Sequence, residues 1–200
     1  MRVLLFTVFF FLSAFIFSQK IKERSRYEKR WAFAHPFAAL KVKKIYKECV
    51  PVYQEIKNTN ALDKFKNGGK LDAFRHAFFM AAFAQTIKVK KLRKLGIAHE
   101  KGNHYNFLKG VTEDGEFADS LSCEMDLKNN ELGFRIGHEN KKADLMKLAN
   151  DVVTEIKKGE AVYFKRNYSG QYLSCEGDII KLENYKGKWS VPKCLISTDQ

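Results

Sequence analysis

The sequence predicts a mainly α fold: a multi-helix, bundle-like core with a small C-terminal antiparallel β appendage. Three observations carry that expectation. Apolar residues recur at helical spacing in several segments between Pro36 and Gly159. From Ala161 the texture changes to short β-branched and aromatic runs separated by Ser-Gly, Gly-Asp and Lys-Gly-Lys, the pattern of two or three short strands. A chain of 200 residues can bury one real core, and one domain is the default at this length.

The elements follow in chain order. "MRVLLFTVFFFLSAFIFSQK" carries one positive charge, an apolar run from Val3 to Phe17 and then the small residue Ser18. This reads as a signal peptide over residues 1–18, too short for a comfortable membrane span, with an uncleaved anchor as the alternative. No cysteine follows the run, so nothing supports a lipid anchor. Residues 19–31 read as a charged linker, 32–159 as the helical domain and 160–200 as the β-rich segment. The first helix is expected at "HPFAALKVKKIYKEC", because Pro36 suits the first helical position and Ala38, Val42, Ile45, Tyr46 and Cys49 form one stripe. Pro51 should interrupt or kink it, a further helical stretch should reach Phe65, and "KNGGK" is a loop.

A helix from Asp72 to about Gln85 is apolar on every side and belongs in the interior. "TIKVKKLRKLGIAHE" continues it or starts another, with Leu92, Leu95 and His99 on one side. Residues 101–120 read as a long polar excursion, with turn signals at Lys101-Gly102-Asn103 and Asp114-Gly115; such an excursion is a lid, a binding loop or a disordered segment. Helix returns at "CEMDLKNNELGFRIG" and at "KADLMKLANDVVTEIKKG", where Leu145, Ala149, Val152, Val153 and Ile156 form the buried stripe and Gly159 the stop. There is no internal repeat and no low-complexity tract.

The cysteines and the charge bound the setting. Behind a signal peptide, Cys49, Cys123, Cys175 and Cys194 would sit where bridges persist, which gives a secreted or periplasmic protein. Of three connectivities, Cys175 with Cys194 is favoured, leaving Cys49 with Cys123. No C-x-x-C is present, which argues against zinc held by thiolates. The net charge of +13 lies almost wholly outside the signal segment. It would speed encounter with lipid head groups, wall polymers, lipopolysaccharide or nucleic acid without naming one of them. Part of it lies in "KVKKIYK" and "KVKKLRK", which also read simply as solvated helix faces.

The chemistry concentrates in three places. At about 100° per residue, Asp72, Arg75 and His76 share one arc of the apolar helix. Asp126, Asn129 and Asn130 repeat the same spacing, and Gly133 and Gly137 continue their face. The two helices are therefore expected to cross with polar faces opposed, Asp126 pairing with Arg75 and the asparagines supplying adaptable donors and acceptors. His99 points inward with Leu92 and Leu95, and Glu100 stands about a quarter turn away. The set suffices for a divalent metal, zinc favoured, on His76, His99 and Asp126, or for a metal-free acid and base pair. H-E-x-x-H, calcium-loop, nucleophile-elbow and P-loop motifs are absent.

"HPFAAL", "DAFRHAFFMA", "AHE" and "MDLKNNELGFRIG", in this order over about residues 32–140, resemble the DUF6973 family of bacterial domains of unknown function. The family pattern is D-A-x-R-H-A, then A-H-E, then D-x-x-N-N-x-x-G. It falls on Asp72, Arg75, His76, His99, Glu100, Asp126, Asn129, Asn130 and Gly133. The resemblance implies an all-α core and an extracytoplasmic bacterial protein, and supplies no reaction. The chain departs from it by the excursion between Glu100 and Asp126 and by the C-terminal β segment.

Two functional readings follow. The first is a hydrolase acting on an anionic envelope or phosphoester substrate, with Asp72, Arg75, His76, His99, Glu100, Asp126, Asn129 and Asn130 as candidate catalytic residues and Tyr105, Glu113, Asp114 and Glu116 as lid or extra ligands. The second is a noncatalytic envelope-binding module in which the polar residues form a structural buried network. Nucleic acid stays open as a partner, no stable membrane span is expected after signal cleavage, and the oligomeric state is open.

Overall fold

The computed structural model describes residues 24–112 and 115–200. The signal segment and its cleavage site therefore lie outside the described residues, as do Glu113 and Asp114. Helix α1 (Arg26–Ala34) starts at a capping box: Ser25 Oγ accepts from the Glu28 amide, and Glu28 returns a carboxylate oxygen to the Ser25 amide at 2.9 Å. Residues 26–31, expected as linker, are thus helical. Trp31 is buried and its indole N–H donates to the Lys91 carbonyl at 2.9 Å, which ties α1 to the start of α4 (Val89–Leu108). His35 turns the chain, and Pro36 opens α2 (Pro36–Asn58) at its first position. Pro51 lies within α2 without ending it, and the helix stops at Asn58 rather than continuing to Phe65.

Helix α3 (Lys70–Ala84) is the central element. Its first amides are capped from a distance by Asp63, which accepts from Lys70 N at 2.6 Å and Leu71 N at 3.1 Å. Phe74, Ala77, Phe78 and Ala81 are fully buried against α2, α5 (Ser120–Glu139) and α6 (Leu145–Lys157). Against α5 the approach is limited only by backbone. A Cβ added at Gly133 would fall on the Ala77 carbonyl, and one at Gly137 on the Ala81 carbonyl. The pairing 77 to 133 and 81 to 137 advances in the same direction on both helices, so they run parallel at this contact.

Gly102 follows the same logic: an added Cβ would lie 2.7 Å from Ser25, so the glycine lets α1 and α4 meet. Lys101-Gly102-Asn103 is therefore helix rather than turn, and only the chain after Leu108 remains of the expected excursion. Helix α6 starts at Asp144, which accepts from the Lys147 amide at 2.8 Å, and it buries Ala149, Val152, Val153 and Ile156 as expected, with Leu148 buried in place of Leu145, which is half-buried at the first turn.

The C-terminal segment contains β1 (Val162–Phe164) and β2 (Leu195–Ser197), antiparallel with Val162 opposite Ser197. Its side chains Phe164, Tyr172, Ile180 and Val191 belong to the same core as α3 and α6. Lys193, with 4% of its side chain exposed, pairs with Asp119 at 2.6 Å. Asp119 is also the N-cap of α5, so one carboxylate anchors both the helix start and the segment.

Cys175 and Cys194 form the expected disulfide. The companion bridge does not exist: Cys49 and Cys123 are both free thiols. Cys49 lies in the apolar core, where burial and then the Glu48 charge push its pKa up to about 12, whereas Cys123 faces the polar side of α5 toward Glu100. Among the described residues no helix is long and apolar enough to cross a membrane.

The α3–α5 contact has no room to relax, because the obstruction is main chain. Gly133→Ala and Gly137→Ala should each lower the unfolding free energy by about 3 kcal/mol or more. Urea denaturation checks this, with an unchanged midpoint as the contrary result.

Candidate metal centre

The first two turns of α3 place Asp72, Arg75 and His76 against α5, in a fold that leaves them little water. Asp72 Oδ2 accepts from the Gly68 amide at 2.7 Å, which binds the carboxylate to the preceding loop. Its Oδ1 meets Arg75 Nη2 at 2.6 Å. Across the interface Asp126 Oδ1 lies 3.2 Å from His76 Nε2, and Asp72 Oδ1 lies 3.7 Å from the same nitrogen. The expected partnership is thus redistributed: Arg75 takes the acid on its own helix and the imidazole takes Asp126. Side-chain exposures of 7% for Asp72, 11% for His76 and 12% for Asp126 contrast with 35% for Arg75, which marks the arginine as the solvent side of the cluster.

Arg75 Nη2, which can only donate, and Asp126 Oδ1, which can only accept, both lie 3.2 Å from His76 Nε2; a ring protonated on Nδ1 satisfies the first contact and a ring protonated on Nε2 the second. Burial holds the His76 pKa well below 6.5, reinforced by the charges of Arg75 and His99 and opposed by a hydrogen bond with Asn130. The ring is then neutral. One ring nitrogen of His76 and one oxygen from each of Asp72 and Asp126 lie within 4.8 Å of one another. With metal–ligand bonds of about 2.1 Å, neighbouring ligands in tetrahedral or octahedral geometry stand roughly 3.0–3.4 Å apart. The observed 3.2 and 3.7 Å separations lie near that range, and all three atoms lie within 4.8 Å, so an ion bound there would draw the side chains inward.

Around this trio the remaining motif residues divide. Glu100 is buried; it accepts from Asn103 Nδ2 at 3.0 Å and from the Cys123 thiol. Burial first, then the charge of Glu100 and this bond, then Asp126 and Asp119, raise the Cys123 pKa, so the thiol stands between Glu100 and the cluster as a neutral group. Asn130 is 2% exposed and reaches His76, while an added Cβ on Gly96 would lie 3.0 Å from its Nδ2.

Two expected members serve elsewhere. Asn129 donates to the Val162 carbonyl and accepts from the Val162 amide, both at 3.0 Å, so its amide completes the edge of β1. His99 Nδ1 pairs with Glu28 Oε1 at 3.2 Å with 38% of the side chain exposed; it is replaced in the metal-competent group by Asp72. Sequence reading placed it inward but had no view of α1, whose Glu28 draws it aside.

The two described lid candidates, Tyr105 and Glu116, have other partners. Tyr105 lies under the Arg26 and Lys109 cations, and Glu116 accepts from the Tyr172 hydroxyl at 2.9 Å. Sequence reading missed Cys123 and Asn103. Cys123 precedes Asp126 by one helical turn and shares its face, a signal masked by the expectation of a bridge; Asn103 follows Glu100 by a turn, a signal masked by the turn-like Lys101-Gly102-Asn103.

Two outcomes test these assignments. Asn129→Ala should cost about 1–2 kcal/mol, because the half-buried Val162 amide and carbonyl both lose their Asn129 partner, and should speed hydrogen exchange at Val162. Glu28 offers a pH test. Burial pushes its pKa up, but hydrogen bonds from His99 and Ser25, with the His99 charge, outweigh that and hold it at about 2, below the ordinary 4.5. A carboxyl with a depressed folded-state pKa stabilises the fold fully above its unfolded value, and that contribution is lost as pH falls toward 2. Glu28→Gln should therefore cost about 1–2 kcal/mol at neutral pH, and the deficit should shrink between pH 4.5 and 2 in thermal melts.

No curated protein and no solved structure matches the chain. A family model described as "Domain of unknown function (DUF6973)" matches residues 29–160, a span that contains α2 to α6, most of α1, and every residue of the cluster. With the match covering well over half of the sequence and all three motifs within it, the chain belongs to the DUF6973 family.

Proposed function

We propose that Asp72, His76 and Asp126 bind a divalent cation, and that the protein is a metal-assisted hydrolase of an anionic ester working outside the cytoplasm. The observation that carries the reading is the convergence of a neutral imidazole nitrogen and two carboxylate oxygens within 4.8 Å. A cation bound there would polarise the scissile group and lower the pKa of water. Arg75, at the more exposed edge, is placed to receive an anionic group, and its bond to Asp72 orients it. Glu100, held by Asn103 and Cys123, is the candidate base.

The basic character of the chain, and an open cleft beside the loop that binds Asp72, where Lys64, Lys66 and Arg166 outnumber the one carboxylate, Glu116, favour a phosphoester or another anionic envelope component. The Cys175–Cys194 disulfide supports an oxidising compartment. One imidazole with two carboxylates suits zinc, and manganese is the competing ion.

Titration of the chelator-treated protein with zinc and with manganese, followed by calorimetry, tests the site. One equivalent should bind, Asp126→Asn and His76→Ala should each weaken binding at least about tenfold, and hydrolysis of a chromogenic phosphodiester should vanish with chelator and return with metal. Failure of both ions to bind, together with a stable, folded Asp126→Asn protein, would leave the cluster as a buried polar network that sets helix register.

A further inference from the structure

The corner between α1 and α2 exposes three large apolar side chains. Phe33 is 91% exposed, Phe37 81% and Leu40 66%. They fall within eight consecutive residues, whereas α2 directs Ala38, Val42 and Cys49 into the core. On the outward arc of α2, Phe37 and Leu40 are followed at helical spacing by Lys41, Lys44 and Lys47, all exposed. Single exposed apolar residues are ordinary, but three clustered at a corner and backed by lysines form a directed patch.

Charge identifies the occupant. From Arg24 to Lys47 the sequence has eight Lys and Arg against one acid, Glu28, and that acid is turned inward to His99. An apolar groove on a protein partner would meet the phenyl rings but would not by itself call for this much positive charge. A bilayer with anionic phospholipids offers both halves: an acyl boundary for the rings and phosphates for the lysines. The chain itself points the same way. In the sequence the apolar run Val3–Phe17 ends only eight residues before α1, and α1 is about 14 Å long, so the corner follows that run closely along the chain.

We infer that the α1–α2 corner docks on an anionic lipid surface, with Phe33, Phe37 and Leu40 inserted at the acyl boundary and the lysines of α2 on the head groups. The inference is independent of the metal site. The docking is monotopic, by a folded corner, and requires no spanning helix from the described residues.

The test uses the chain as isolated from its producing cell, whatever N-terminus it carries, with vesicles of phosphatidylcholine alone and of phosphatidylcholine with phosphatidylglycerol. Binding should require phosphatidylglycerol and weaken with salt. The triple variant Phe33→Ser, Phe37→Ser, Leu40→Ser keeps the same N-terminus and should lower the partition coefficient by about tenfold or more, with an unchanged melting temperature because all three residues are exposed. Phe37→Trp should be quenched by brominated acyl chains. Equal binding by wild type and triple variant, or no quenching of Phe37→Trp, would overturn the proposal. A triple variant that changes oligomeric state while vesicle binding stays the same would overturn it in favour of a second copy as the occupant.

Discussion

The close passage of α5 over α3 governs the rest of the molecule. Gly133 and Gly137 present no side chain, so α5 rests on the Ala77 and Ala81 carbonyls of α3. That contact fixes the register two turns earlier, where Asp126 arrives opposite His76. A bulkier pair would lift the helices apart and separate the two groups whose spacing defines the cluster. The burial of most of α3 then limits water around Asp72 and His76, which gives the local charges their strength and makes each of them costly to leave uncompensated.

The two flanking segments hold this arrangement from either end. At one end the Ser25–Glu28 capping box and the Trp31 indole seat α1 on α4, and Glu28 draws His99 outward, so that His99 acts on His76 through its charge rather than by sharing its ligand set. At the other end Asn129 and the Lys193–Asp119 pair bind the C-terminal segment to α5. The β segment is therefore part of the main core, with Phe164 and Tyr172 packed beside it, and not a detachable ornament. In both cases a residue adjacent in sequence to the cluster stabilises its support.

Local signals were legible in the sequence, and long-range partnerships were less so. Helix periodicity located α2, α3, α5 and α6, the glycine pair on α5 announced a close crossing, and Asp72, His76 and Asp126 were all singled out from helical spacing. The capping box "SRYE" was equally local and was overlooked because the surrounding charge suggested a linker. Gly102 looked like a turn because a glycine's sequence context does not reveal a tertiary neighbour; only the proximity of Ser25 explains it. Asn129 and Asn130 are consecutive, so periodicity placed both on one face. Their roles nevertheless diverge, because β1, which arrives from 33 residues away, takes Asn129. Cys49 and Cys123 were paired by elimination, an argument that ignores whether a thiol lies among apolar or polar groups.

The account depends on His76 carrying no proton on Nε2, since an imidazolium would turn the meeting of lone pairs into an ordinary ion pair and remove the reason for a cation. Nitrogen-15 spectroscopy of the His76 ring at neutral pH measures this directly. The account predicts one protonated nitrogen, Nδ1, and an unprotonated Nε2 whose resonance shifts on adding zinc. Two protonated ring nitrogens, unmoved by the metal, would contradict it.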